Sequence, residues 1–224
     1  MSIRNTVLGA ASTLTVAGGL VTAGTVPAEA ATPECGPNCV QVFSAKFGTP
    51  EDPGYVESVL GGIPEAGVPT GLSPVSSTDP AGDMRVSRAG PVSGFYADGM
   101  VSAAVNEHYG ELTAVQIQYA PEGDGSADLC AGLATTAYQG QPLSLQPCST
   151  PGTTVFILGT PEWPEGATYF PILTASTMDF VRPFTMTING NPATCDFLPI
   201  TVRRLNGHGT HVPQSQLWGS NVLE

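Results

Sequence analysis

The chain has 224 residues with 7 Lys or Arg against 19 Asp or Glu, a formal net charge of −12, and 12% charged residues beside 27 Gly and 21 Pro. Such acidity excludes nucleic acid as a partner, because phosphate recognition needs clustered Lys and Arg and only Arg203 and Arg204 are adjacent here. With so few charges the surface must be covered by Ser, Thr, Asn and Gln, which suits a loop-rich extracellular β protein, and the length suits one domain.

Arg4 precedes an apolar, uncharged run from Val7 to Val26, closed by Ala28-Glu29-Ala30, the small-x-small pattern of a secretory cleavage site. Residues 1–30 are therefore expected to be a signal peptide, cleaved after Ala30. A membrane anchor fits less well, since Gly and Thr dilute the run and no cluster of Lys or Arg follows to stop transfer. A lipid anchor is disfavoured too, because Cys35 sits behind Thr32-Pro33-Glu34 and lacks the small apolar residues that precede a lipidated cysteine. The expectation is a secreted protein with no membrane insertion after cleavage, divided into an N-terminal segment over 31–54 and a single domain over 55–224. Five cysteines in an exported chain indicate disulfides, with one thiol left over or paired between chains. Cys35 and Cys39 flank Gly36-Pro37-Asn38, a turn-forming tripeptide that can close a small loop; pairing of Cys195 with one of them stays open as an alternative.

Further along, apolar residues come in short runs punctuated by Gly, Pro, Asn and Asp, as in Val86-Ser87, Gly94-Phe95-Tyr96, Thr113 to Tyr119 and Thr154 to Leu158. Strands fit this punctuation better than helices. One helix is expected over Gly99 to His108, with Met100, Ala103, Ala104 and His108 on a shared face. Leu112 to Tyr119 alternates, with Val115, Ile117 and Tyr119 separated by Gln116 and Gln118, the period-two pattern of a half-buried strand. Phe184 to Ile188 and Ile200-Thr201-Val202 read the same way, the first closed by the turn signal Asn189-Gly190.

At a shift of 73 residues the chain matches itself without a gap, pairing Gly67, Pro69, Leu72, Pro74 and Ser76 with Gly140, Pro142, Leu145, Pro147 and Ser149. A fainter third copy runs from Ile200-Thr201-Val202-Arg203 through Asn206-Gly207 to Gln216-Leu217-Trp218. The stretch Cys130-Ala131-Gly132-Leu133 through Leu143-Ser144-Leu145-Gln146-Pro147-Cys148 resembles a repeat of the ricin-B-type lectins, a β-trefoil family. That resemblance implies a Cys130–Cys148 disulfide tying adjacent strands; if Cys35 and Cys39 close their loop, Cys195 is left unpaired. It also implies an all-β, trefoil-like barrel of three degenerate repeats in a small secreted protein of bacterial type. A β-sandwich or irregular barrel with one disulfide hairpin is the alternative fold. Family repeats close with Gln-x-Trp, whose Trp fills the core. Gln216-Leu217-Trp218 matches it, while the first copy has Gly82-Asp83-Met84 and the second Thr154-Val155-Phe156, each ending on an apolar residue able to take that place.

In the family a sugar site uses an Asp two residues after the first Cys and an aromatic platform just before the second, because sugars need paired hydrogen bonds and a ring to stack on. Here those positions are Gly132 and Gln146. The resemblance thus implies the scaffold more strongly than the activity. Binding candidates are Trp163, held in Pro161-Glu162-Trp163-Pro164, together with Trp218, Tyr138, Tyr169 and Phe170.

Three motifs invite chemistry. Gly207-His208-Gly209-Thr210-His211-Val212 resembles the histidine motif of subtilisin-like peptidases, but Ser215 and Ser220 lack a nucleophile setting and no parallel α/β sheet is in prospect. His208 and His211, with His108 or Asp196, fall short of a zinc set. Glu122-Gly123-Asp124-Gly125 with Asp128 lacks the spacing and closing Glu of an EF-hand. The expectation is a non-catalytic binding or protein-interaction module without cofactor or metal, whose partner is an extracellular protein or a cell-surface glycan. The alternatives are a lectin-like protein with a modified sugar site and a secreted hydrolase on a β scaffold.

Overall fold

The computed structural model describes residues 32–36, 39–123, 127–164, 166–192, 195–207 and 211–222. The strands in chain order are β1 (Val40–Ser44), β2 (Tyr55–Val59), β3 (Thr70–Pro74), β4 (Met84–Pro91), β5 (Thr113–Tyr119), β6 (Leu129–Gly132), β7 (Gln141–Pro142), β8 (Ser144–Pro147), β9 (Phe156–Leu158), β10 (Ile172–Thr174), β11 (Phe184–Ile188), β12 (Leu198–Arg204) and β13 (Trp218–Val222). Two short helices, α1 (Val92–Ala97) and α2 (Ala103–Tyr109), lie between β4 and β5.

Six strands close into a ring. β1 pairs with β13, β4 with β5, β5 with β9 and β9 with β10, all antiparallel. The bridges Cys39 to Arg85 and Phe170 to Trp218 complete the circuit. Closure removes the exposed strand edges that an open sheet would present. Three hairpins, β2–β3, β6–β8 and β11–β12, cover one end of the ring. They meet one another cyclically through Pro69 with Ser144, Pro142 with Thr201, and Pro199 with Gly71. Three prolines thus occupy one position in three repeats. This is a β-trefoil, and the barrel-of-three-repeats expectation holds.

The 73-residue self-match is the spacing of the first two cap hairpins. Gly67 and Gly140 both have positive φ, at 88° and 80°, a backbone state that residues with a Cβ avoid. Leu72 and Leu145, with Val202 as their counterpart across the β11–β12 hairpin, are fully buried. Met84, Phe156 and Trp218 each begin the last strand of a repeat, and none has exposed surface. Trp218 donates its indole N–H to Met186 O at 2.9 Å. A core site needs volume and apolarity first, each buried large side chain contributing roughly 1.5–3 kcal/mol; the motif can therefore decay to Met and Phe without loss of the fold. The middle residue of the first copy, Asp83, is buried and accepts from Thr32 N at 2.9 Å and from the Thr32 hydroxyl, tying the N-terminal segment to the barrel.

Several expectations are corrected. β1 pairs with β13 along five residues, so the barrel starts at Val40 and the division at 54/55 falls inside the first repeat. Gly94-Phe95-Tyr96 is helical rather than extended, because Val92 and Phe95, three apart, both bury against the barrel wall. The second helix exists, capped by Ser102 Oγ accepting from Val105 N at 3.2 Å. Its buried face is Val105 and Tyr109, with Val101 buried just before the cap, whereas Ala103 and His108 are exposed. The helical pair seals the outer face of β5, β9 and β10 through Ala114, Ile157 and Leu173. β5 is consequently buried on both faces, not one. Its Gln116 is satisfied by Cys148 O at 2.6 Å and Thr154 Oγ1 at 3.0 Å. Disulfides join Cys35 to Cys39 and Cys130 to Cys148, with Cα atoms 6.0 and 4.9 Å apart, and Cys195 is free and exposed.

Candidate functional site

A groove of about 510 Å³ opens between the helical insertion and the loops of the third repeat. α2 supplies His108 and Tyr109, the β9–β10 loop supplies Trp163, and the β10–β11 loop supplies Phe180 and Val181. The β12–β13 loop closes it with Val212. Trp163 is half-buried and held in two ways. Its backbone N–H donates to Thr160 O, and its indole N–H to Tyr169 O, both at 2.9 Å. Gly159, at φ 83°, lies against it: a Cβ there would sit 3.4 Å from Trp163 Cβ. A ring fixed this way loses little rotamer entropy when a ligand packs on it.

Elsewhere in the lining the His108 ring stacks on Phe180 at 4.7 Å with 29° between planes, and Tyr109 meets Phe180 edge-on at 5.8 Å. Burial, and secondarily the charge of Asp179, pushes the Tyr109 hydroxyl up to about 12. It therefore stays a neutral phenol at physiological pH. Glu162 and Thr160 add polar groups to the lining. Val181 and the nearby Met178 are large apolar residues left 78% and 73% exposed, on the same loop whose Phe180 packs against His108 and Tyr109. The arrangement offers ring faces flanked by hydrogen-bonding groups, the requirement for holding a small ring-bearing ligand.

Of the sequence-derived candidates, Trp163 and Tyr169 come together through the indole hydrogen bond, and Phe170 lies at the barrel bridge beside them. Tyr169 is itself anchored, its hydroxyl donating to Gly48 O at 3.0 Å and its ring edge-on to Phe43. Tyr138 is 56% exposed in the β6–β7 turn, away from the groove. Trp218 is fully buried and presents nothing to a ligand; the motif that flagged it marks the core. Gly132 has no room for an acid: a Cβ would come within 2.9 Å of Thr153 O and 3.0 Å of Thr154 Cγ2. Gln146 donates to Ser144 Oγ at 2.9 Å.

His208, Gly209 and Thr210 lie outside the described residues, as do Asp124 and Gly125. His211 and Asp196 are exposed, and His108 is engaged with Phe180. Among the described residues no three of His, Cys, Asp or Glu gather into a ligand set. Phe180, Val181 and Tyr109 were not singled out from sequence. The Pro-bounded run Phe180-Val181-Arg182-Pro183 carried the one local hint, two apolar residues where a polar turn would be ordinary.

No protein-family model matches the sequence, and no curated protein matches it. Among solved structures the chain is similar to a designed threefold-symmetric protein, ThreeFoil. The TM-score is 0.52 at 10% identity, over 82% of this chain and 97% of that one. It is also similar to the solution structure of the mdaA-1 domain, with a TM-score of 0.51 at 13% identity, over 84% of this chain and 91% of that one. At these identities the likeness is one of fold, and it agrees with the three-hairpin, six-strand ring.

Proposed function

We propose that this chain is a secreted, non-catalytic β-trefoil binding module that engages an extracellular partner through the groove beside Trp163. The observation that carries the reading is the immobilised, half-buried indole sharing a cavity of ligand size with the stacked His108–Phe180 pair. Export is supported by the N-terminal pattern over residues 1–30 and by two disulfides, which persist in oxidising compartments. Among the described residues no helix is long and apolar enough to cross a membrane. The trefoil scaffold presents loops of varied length from a rigid barrel, which favours recognition over chemistry.

The partner is an extracellular protein, with a cell-surface glycan as the second reading. The glycan reading is favoured by the lectin-like Cys130–Cys148 repeat and by Glu162, Thr160 and His108 lining the same groove as the indole. Its sugar site would be a relocated one, since Gly132 blocks the lectin-like position. The test uses mature protein and Trp163→Ala side by side on a glycan array and in pull-downs from cell-surface extracts. Binding by the parent that is lost in the variant, with unchanged circular dichroism, supports the groove. Equal binding by both, to neutral glycans and to captured proteins alike, would refute it.

A further inference from the structure

A second recess, about 560 Å³, lies back to back with the groove on the same two loops. Chain alternation separates them: Val181, Pro183 and Leu205 face the groove, whereas Arg182, Arg204 and Asn206 line the recess. Its composition is opposite to that of the protein. The chain carries 7 Lys or Arg in all and a net charge of −12, yet Arg182, Arg203 and Arg204 converge here and no Asp or Glu is among the described lining residues.

The three guanidinium groups are not equivalent. Arg204 is a fixed strut: it pairs with Asp179 at 2.9 Å, donates to Arg182 O at 2.8 Å and lies 4.1 Å over the Phe184 ring. Asp179 is held below the usual carboxylate range by the backbone N–H of Arg182 first, then by that of Val181 and the two arginine charges. It thus remains an anion that offsets Arg204. Arg203 is exposed and has no charged or hydrogen-bonded partner for its side chain among the described residues, and the Arg182 side chain is likewise exposed.

Beneath them the floor is rigid. Gln216 is buried and donates to Thr187 Oγ1 at 3.1 Å and to Arg204 O at 3.0 Å, while its carbonyl accepts from Asn206 N at 2.8 Å. Neutral donors and acceptors from Asn189 and Ser215 border the charged pair.

We infer that this recess binds an oxyanion carried on a hydroxyl-rich ligand, an acidic saccharide, with Arg182 and Arg203 on the anionic group and the surrounding amides and hydroxyl on the ligand hydroxyls. Planar guanidinium groups suit carboxylate and sulfate because both present paired oxygens to a fork of N–H donors. The acidic remainder of the surface does not forbid this, since at physiological ionic strength charges beyond about 8–10 Å are screened and the local excess of positive charge decides. The site stands whether or not the Trp163 groove binds anything.

Calorimetric titration of the mature protein with an oligogalacturonate, a sulfated oligosaccharide and a neutral oligosaccharide of equal length tests it. Saturable binding of either acidic ligand and not of the neutral one is expected, weakening as salt is raised, and which acid binds names the oxyanion. The double variant Arg182→Ala/Arg203→Ala should bind roughly tenfold or more weakly, the loss for removing charge-assisted hydrogen bonds, while Arg88→Ala, which removes an arginine that lines neither cavity, binds as the parent does. Should the double variant not fold, Arg203→Glu replaces it, at an exposed position whose side chain no described residue engages. Equal binding of neutral and acidic ligands, no binding of either acid, or an arginine variant indistinguishable from the parent would overturn the assignment.

Discussion

Glu57 offers the sharpest test of the packing described above. It sits on β2 opposite Leu72, the place held by Ala131 opposite Leu145 and by Met186 opposite Val202 in the other repeats. At those two positions the side chains are fully buried and apolar; here a carboxyl group is buried with 1% exposure. The neighbouring Thr70 hydroxyl favours the charged form somewhat, but neither carboxyl oxygen nor Thr70 Oγ1 has a partner within hydrogen-bond geometry. Desolvation therefore wins, and burial raises the pKa from 4.5 to about 7. Because the folded-state pKa lies above the unfolded one, the native state holds the proton more tightly. Stability from this group is greatest below pH 4.5, declines as pH rises toward about 7, and is flat above.

The full cost of ionising Glu57 in place is about 3 kcal/mol at alkaline pH. Glu57→Met, which installs the residue of the third repeat, removes that cost. Urea unfolding of parent and variant from pH ~5 to pH ~8 should show the variant's advantage growing by about 2.5 kcal/mol, the part of that cost falling inside the window, while all other titrations cancel in the difference. A difference independent of pH across that window would show that Glu57 is not buried and unpartnered as described.

The remaining expectations concern the core, the lectin-like repeat and its bridge. Trp218→Ala should destabilise the protein by about 3–5 kcal/mol in chemical denaturation, and Trp218→Phe by much less, because Phe156 already fills the equivalent place. Gly132→Asp, which writes the lectin acid back into the second repeat, should lower stability by about 1–3 kcal/mol and create no sugar affinity, read by thermal melts and glycan titration; the Thr153 carbonyl occupies the space. Replacing Cys130 and Cys148 together by Ser should cost roughly 3 kcal/mol, measured by urea unfolding against the parent, the loop entropy that a bridge over 18 residues removes.

Much of the scaffold is legible along the chain because its determinants are local. Gly67 and Gly140 repeat since the first two hairpins share a positive-φ turn leading into their second strand. Leu72 and Leu145 repeat since each hairpin buries the same face, and Met84, Phe156 and Trp218 share a position as the first residue of the last strand of a repeat. Where local signals were short, as at Phe95 or on the face of α2, the period could not be decided until the barrel wall supplied the surface against which Val92 and Val105 bury. The start of the barrel was missed for a related reason: β1 finds its partner only at β13, at the other end of the chain.

The candidate site obeys a different rule. Trp163 was conspicuous for its flanking prolines, and Trp218 for its motif, yet one lines a groove and the other plugs the core. From composition, spacing and resemblance the chain by itself determined a β-trefoil of three decayed repeats, its turns and its apolar layers. Only tertiary structure decided that residues as distant as His108, Trp163, Phe180 and Val212 share one cavity, and that Arg182 joins Arg203 and Arg204 in another. The physical reason is that turns and alternation arise from neighbours within a few bonds, whereas a cavity depends on how barrel closure brings loops from different repeats together.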